Sequence, residues 1–484
     1  MSLLNLNEIL SAVNGKFVGS EKNKENFGFS SVATDSRNVE SGSLFVPLIG
    51  QSQNGHKYIP AAIEKGASVI FVAEKEYASE QKEYDSLAEK NKNLSFIAVE
   101  NTLTALQDAA AAYVEKFPSL IKIGITGSSG KTTTKEMVVS ILKQKFNVVY
   151  TQGNFNSETG LPLSVFNIRP EHEAGVFEMG MNRKDEIGEI AKVLKPKYAL
   201  VTNIGTAHIG ILGSRKNIAI EKRKIFKYIP ANGIAFIPAE DDFAEFLGEN
   251  VRGSVVYYGN SVPEEESGAK YVHDLGLEGT EFLLDGVKIH LKNPGIYNYR
   301  NALGACALGK ALGLSAEQIK AGLENVDSVN GRMETSRLAL KSGANITLIK
   351  DCYNANPDSM RSVLDFCSSL KNSGKKIYVL GDMLELGEKS KAEHESVALK
   401  AVESNPALLI LVGKEMRSGF EALEKSGFKN ARYIPEHDEN SIAAAGKEIL
   451  SSAKEGDVVL IKASRGIALE RIIPVISGEN NGKL

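Results

Sequence analysis

The stretch Leu120–Met137, LIKIGITGSSGKTTTKEM, decides how the rest of the chain is read. Ile121, Ile123 and Ile125 alternate with Lys122 and Gly124, a period-two pattern that predicts a short strand. Gly127-Ser128-Ser129-Gly130 is a flexible turn, and Lys131-Thr132-Thr133-Thr134 opens a helical pattern running through Met137. Strand, glycine turn, Lys-Thr and helix are the parts of a phosphate-binding loop. Glycines let backbone N–H groups close on phosphate oxygens, the helix start adds partial positive charge, and Lys131 supplies a point charge for the outer phosphates. Thr132 would offer its hydroxyl to Mg²⁺. The loop is shorter than the general G-x-x-x-x-G-K-[ST] pattern, because Ile125 stands where that pattern has its first glycine. An ordinary Gly/Ser turn is the alternative. Lys-Thr at the helix start favours a nucleoside triphosphate site.

Outward from this loop, apolar strands recur at Val148–Tyr150, Ala174–Glu178 and Ala199–Asn203, separated by helical stretches. That alternation predicts a doubly wound, mostly parallel sheet, whose ligands gather at the carboxyl ends of the strands. Glu178 closes one strand, and Asn203 and His208 follow another. A carboxylate beside a phosphate loop is a natural Mg²⁺ ligand, with a helix-capping carboxylate as the alternative. His208 taken alone reads as a loop histidine. Lys222 lies among Glu221, Arg223 and Lys224, which reads as a solvated helix face. Alternating residues from Val255 to His290 suggest that the sheet extends further. Asn298 and Asn301, three apart near the start of an alanine-rich helix, share one face.

Before the central unit, residues 1–101 form a smaller α/β unit, with polar clusters at Thr34-Asp35-Ser36-Arg37 and Asn54-Gly55-His56 that turn chemistry alone would explain. After it, residues 331–484 are again α/β. Three of their strands end in polar clusters: Asp351–Pro357, Gly381–Gly387 and Lys462–Arg465. Three clusters on one edge exceed what turns require.

At 484 residues, two to four domains are expected. The 57 basic and 60 acidic residues leave a net charge of −3 and exclude a basic nucleic-acid face or a polybasic membrane patch. Cys306, Cys352 and Cys367 show no metal-site spacing and read as reduced core residues. MSLLNLNEILSAVNG lacks the layout of a signal peptide, and the aliphatic run Ala407–Val412 is far too short for a bilayer. A cytoplasmic protein without membrane insertion is expected.

Taken together, TGSSGKTTTKEM, TQGNFNSETGLPLS, FEMGMNRKDEI, TNIGTAHIG, NGRMET and DCYNANPDSM resemble, in order, the motifs of the Mur ligases, the ATP-dependent amide-bond ligases of peptidoglycan stem-peptide synthesis. The resemblance spans essentially the whole chain and implies three domains: 1–101 for a uridine nucleotide, 102–330 for ATP and 331–484 for the second substrate. ATDSRNVESGSLFVPLIGQSQNGHKYI, DCYNANPDSM and GDMLELG look like the branch that joins D-alanyl-D-alanine to UDP-N-acetylmuramoyl-tripeptide. Within it, Gly127, Ser128, Ser129, Gly130, Lys131, Thr132 and Thr133 would hold ATP phosphates. Thr132, Glu178 and His208 would bind Mg²⁺, with Lys222 joining them once carbamylated. Asn298 and Asn301 would lie by the adenine, and Arg332 and Asp351 would reach phosphate and ribose. Asn154 and Asn156 would line the path of the peptide, and Ser36, Arg37 and His56 would face the UDP-sugar. Tyr353, Asn354 and Lys462–Arg465 would look toward D-alanyl-D-alanine, Arg465 pairing with its carboxylate. The family chemistry is phosphorylation of a carboxylate to an acyl phosphate and its capture by an amine, which needs positioned charge rather than a side-chain nucleophile. A monomer is expected. Two other readings stay open: another Mur-type ligase (tripeptide-forming or folate-polyglutamating), and a phosphate-loop switch protein.

Overall fold

The computed structural model describes residues 2–50, 52–326, 331–371 and 374–477. The expected boundary at 330/331 abuts undescribed residues, and residues 478–484 of the third unit lie outside the described set.

Among the described residues four sheets form, and three of them are the centres of the three units. In the first unit Lys16–Val18, Ser95–Val99, Val69–Ala73, Ser43–Phe45 and Ser31–Ala33 lie side by side, parallel except for the antiparallel Lys16–Val18 edge. The central sheet is wholly parallel, in the order Ser254–Tyr258, Ile234–Pro238, Tyr198–Val201, Ile121–Thr126, Ala174–Glu178, Val148–Tyr150. Helices cover both faces of such a sheet, which is why Ala174–Glu178 is buried at every residue. This order sets the phosphate-loop strand Ile121–Thr126 between the strands that deliver Glu178 and Thr202. The third sheet runs Glu334–Ala339, Asn345–Asp351, Val458–Lys462, Lys376–Gly381, Leu408–Val412, Ala431–Ile434, antiparallel only at its first strand.

One expectation is corrected here. Only Ser254–Tyr258 extends the central sheet; Ala269–Asp274, Thr280–Leu284 and Val287–Leu291 form a separate antiparallel sheet. The reason is local. Asp285 and Gly286 both take left-handed backbone, with φ of 47° and 81°, which closes a tight hairpin and pairs the flanking strands with each other.

The first and central units share the helix Thr102–Glu115. Its Thr102 hydroxyl donates to the carbonyl of Pro47, and its Tyr113 hydroxyl to the carbonyl of Ile168, each at 2.7 Å. The central and third units meet at the helix Pro357–Ser369, whose start is fixed by Asn356 and Ser359 in a reciprocal capping box with proline in the first turn.

Candidate active site

The turn after Ile121–Thr126 is shaped by what surrounds it. Gly127 has φ +155°, and a Cβ there would fall 1.7 Å from Thr202 Oγ1. Thr202 Oγ1 instead donates to the Ser129 carbonyl at 2.5 Å. Asn203 closes the clamp, accepting from Ser129 N–H and donating to Ser129 O at 3.0 Å each. Gly130, at φ +79°, caps the helix Lys131–Leu142 without a side-chain acceptor. A Cβ on it would sit 2.6 Å from Asn301 Oδ1, so Asn301 packs directly on the turn.

Behind the loop, Thr132 Oγ1 donates to Glu178 Oε2 at 2.8 Å, and Asn156 Nδ2 donates to Glu178 Oε1 at 2.7 Å. Glu178 is 1% exposed. Lys131 Nζ donates to the Gly127 carbonyl at 2.9 Å. Burial lowers the pKa of its ammonium, with Arg332 adding to the lowering and Glu178 opposing it. Lys222 is not on a solvated face: it is 1% exposed, at the buried side of the helix Arg215–Arg223. Its neighbour Glu221 holds that helix in place by accepting from the backbone N–H groups of Asp185 and Ile187 at 2.9 and 3.0 Å. Burial pushes the Lys222 ammonium well below its ordinary pKa, the nearby charge of Lys131 helps, and Glu221 opposes. Thr132 and Glu178 present the oxygen donors that a hard divalent cation takes.

In front of the loop opens a cavity of about 380 Å³, lined by both the central and third domains. That size suits a nucleotide. Ser128–Lys131, Thr133, Asn298 and Asn301 form one side; Arg332, Asp351, Asn354 and Lys462 form the other. Lys462 is 1% exposed, pairs with Asp351 at 2.5 Å and lines this cavity. The Arg332 guanidinium stacks 4.2 Å from the Tyr353 ring centre, which gives Tyr353 a supporting role beneath it. Arg332 Nε and Tyr297 OH are buried without hydrogen-bond partners among the described residues.

A second recess of about 230 Å³ adjoins the first, and His208, Asn354, Asn356, Glu385, Ser464 and Arg465 line it. His208 Nδ1 lies 2.6 Å from Glu385 Oε2. Both residues hold left-handed backbone, at φ 62° and 64°, a strain that clusters at functional sites. The His208 ring holds the Glu385 carboxyl below its ordinary pKa, against the effect of burial. Arg465 is 69% exposed and pairs with Glu470 at 2.7 Å. Three further contacts tie the domains together here. Asn356 Nδ2 donates to Ser129 Oγ at 3.1 Å, Thr206 N–H and Oγ1–H donate to Asp358 Oδ2 at 2.6 and 2.7 Å, and Gly210 N–H donates to the Glu385 carbonyl at 3.1 Å.

In the first unit, Ser36 begins a short turn and Arg37 forks onto Asp35, pulling that carboxyl down to about 2. His56 is 6% exposed. Its Nε2 accepts from Ala73 N–H at 3.0 Å, so Nδ1 carries the proton toward Asn54 Oδ1 at 2.7 Å. Both ring nitrogens are committed within the first unit, where His56 braces the loop. Asn154 is exposed on the loop that carries Asn156. Asn356, Asp358 and Glu385 join the site although the sequence marks them only as members of the segments DCYNANPDSM and GDMLELG. Asn356-Pro357 with Ser359 is a readable helix-start signature, whereas the partners of Asp358 and Glu385, Thr206 and His208, are distant in sequence.

Three family models match the chain: "Mur ligase family, catalytic domain" over residues 29–114, "Mur ligase middle domain" over 125–309 and "Mur ligase, glutamate ligase domain" over 331–465. The UDP-N-acetylmuramoyl-tripeptide–D-alanyl-D-alanine ligase of Treponema pallidum (strain Nichols) is 39% identical over 485 residues, covering 99% of this chain and 100% of that protein. The crystal structure of MurF from Acinetobacter baumannii superposes with a TM-score of 0.83 at 27% identity, covering 98% of this chain and 99% of that one. MurF ligase from Thermotoga maritima in complex with ADP gives 0.76 at 27% identity, covering 93% and 97%. With its three domains in the same order and relatives matched from end to end, the chain belongs to the Mur ligase family.

Proposed function

We propose that this protein is an ATP-dependent ligase that joins D-alanyl-D-alanine to UDP-N-acetylmuramoyl-tripeptide in the cytoplasm, acting as a monomer. The observation that carries the reading is the pair of adjoining recesses, one built on the phosphate loop and one on Arg465, divided by a single wall at Asn354–Asn356. Residues 1–101 would hold the uridine nucleotide, 102–330 most of the ATP site, and 331–484 the dipeptide and the remaining wall.

ATP phosphorylates the carboxylate of the tripeptide, and the amine of the dipeptide attacks the resulting acyl phosphate to release phosphate. The chain's part is positioning and neutralisation of charge. Lys131 exchanges its contact with Gly127 O for the outer phosphates, while Arg332 brings a second cation from the facing domain. Asn298 and Asn301 seat the base, and Asp351, held by Lys462, meets the ribose. Mg²⁺ fits the donors present: Thr132 and Glu178 would hold it, with His208 and carbamylated Lys222 at a second ion, and it would supply neutralisation of phosphate charge. Burial favours the neutral form of the Lys222 amine, the form that carbamylation requires. Arg465 would take the dipeptide carboxylate.

The test is phosphate release from ATP with Mg²⁺, each substrate omitted in turn and Lys131→Ala as control. Release that needs both substrates, with a UDP-pentapeptide product by mass, is expected. Release indifferent to the dipeptide would overturn the acceptor assignment.

A further inference from the structure

The helix that follows the phosphate loop carries a second lysine that the reaction above does not use. Lys135 is 1% exposed, one turn beyond Lys131. Burying an ammonium is costly unless it is compensated on several sides. Lys135 Nζ donates to the carbonyl of Thr151 at 2.7 Å, pairs with Glu136 at 2.6 Å, and lies 5.5 Å from the centre of the Tyr150 ring. Helix packing alone needs no charge at this depth. A methylene chain would fill the space.

What the charge holds is the point where the strand Val148–Tyr150 gives way to the loop that reaches Asn156. Thr151, at that point, is fully buried, and its hydroxyl accepts from the backbone N–H of Glu178 at 3.1 Å. The far end of the loop is fixed as well: Gly180 N–H donates to the Asn156 carbonyl at 2.8 Å, and Asn156 Nδ2 reaches Glu178. Between these anchors the tip is open, with Phe155 47% exposed. A line of bonds thus runs from Lys135 through Thr151 to Glu178, and from Glu178 both to Thr132 and to Asn156. The helix that presents ATP and the loop that receives the peptide are set by one buried cation.

We infer that Lys135 is a positioning residue that registers the loop 151–157 against the phosphate-loop helix, placing the carboxylate of the UDP-linked peptide for phosphoryl transfer. The inference rests on the function proposed above. It places the effect of Lys135 on one substrate and on Glu178, with the nucleotide wall and the dipeptide recess left alone.

The full-length protein is compared with Lys135→Met and Lys135→Arg. Lys135→Met is expected to raise KM for the UDP-tripeptide and the Mg²⁺ needed for half-maximal rate about tenfold, the factor given by one lost hydrogen bond to a charged group. KM for D-alanyl-D-alanine is expected to stay within about twofold, and Lys135→Arg, which keeps a charged donor, to recover most of the loss. Unchanged KM for the peptide substrate, or an equal loss in all three substrates with a matching fall in Tm, would overturn the inference. Amide hydrogen exchange over residues 151–157 tests the placement without any turnover. Faster exchange in Lys135→Met than in the parent is expected, and identical exchange would overturn the inference even if the substrates proved to be others. Should the parent protein make no UDP-pentapeptide, the assigned reaction fails while the exchange result stands by itself.

Discussion

The contact between Thr206 and Asp358 yields a quantitative forecast. One carboxylate oxygen of Asp358, in the third domain, accepts both the N–H and the hydroxyl of Thr206 in the central domain, at 2.6 and 2.7 Å. A hydrogen bond to a charged group contributes about 1.5–3 kcal/mol net, and because both residues are half-buried the low end applies to each bond. Asp358→Ala therefore removes about 3 kcal/mol from the docked arrangement, plus about 0.5 kcal/mol of interaction with the start of its own helix. Thr206→Val deletes only the hydroxyl bond, about 1.5 kcal/mol. At about 1.4 kcal/mol per tenfold, kcat/KM should fall about a hundredfold or more in Asp358→Ala and about tenfold in Thr206→Val. In the double variant the shared bond is counted once, which gives a coupling of about 1.5 kcal/mol. The assay is steady-state phosphate release under limiting substrate, with Tm measured alongside. A coupling below about 0.3 kcal/mol, within the range seen for independent sites, would refute the view that this bond supports catalysis by docking the domains.

Other outcomes follow from single sites. Gly127→Ala puts a methyl 1.7 Å from Thr202 Oγ1 and should raise KM for ATP more than tenfold, about 1.4 kcal/mol or more. Gly343→Ala, at φ +88° in open space, should cost only about 1–2 kcal/mol of stability and leave that KM unchanged. Cys306, Cys352 and Cys367 are free and buried, with thiols pushed up to about 12, so a disulfide reagent at pH 8 should find no thiol in native protein and three after denaturation. Glu385 has its pKa lowered by His208 in the folded state, so its stabilisation is present above the unfolded carboxylate value and is lost as pH falls through the lower folded value. Acid unfolding of the ligand-free protein should show that increment near and below about pH 4, and Glu385→Gln should lack it.

The phosphate loop, the parallel sheets around it and the polar strand ends of the third unit were legible because each is written in local spacing. The hairpin at Asp285-Gly286 is written there too, as a turn dipeptide between alternating strands, although the same alternation also suits a longer sheet. Lys222 is of another kind. Its neighbours in sequence are charged, and its burial follows from Glu221 bonding to backbone 34 and 36 residues away. His56 takes its role from the N–H of Ala73, and Asp358 from a threonine 152 residues distant. Periodicity carries no trace of such partners, and only the resemblance to a family had suggested that Lys222 was more than a surface lysine.

The partition at Asn354–Asn356 bears on attempts to redesign this enzyme. Residues on it face the nucleotide cavity on one side and the smaller recess on the other. On the function proposed above, a substitution that trims either asparagine to admit a bulkier amine would also slacken the seat of ATP, and one that tightens the seat would narrow the acceptor range. On that same function, breadth of acceptor and grip on the nucleotide are drawn from one strip of backbone. A library aimed at new acceptors should leave alone both that strip and Ser464, whose hydroxyl donates to the Ala355 carbonyl at 3.3 Å, and vary Leu384 and Gly466 elsewhere in the recess.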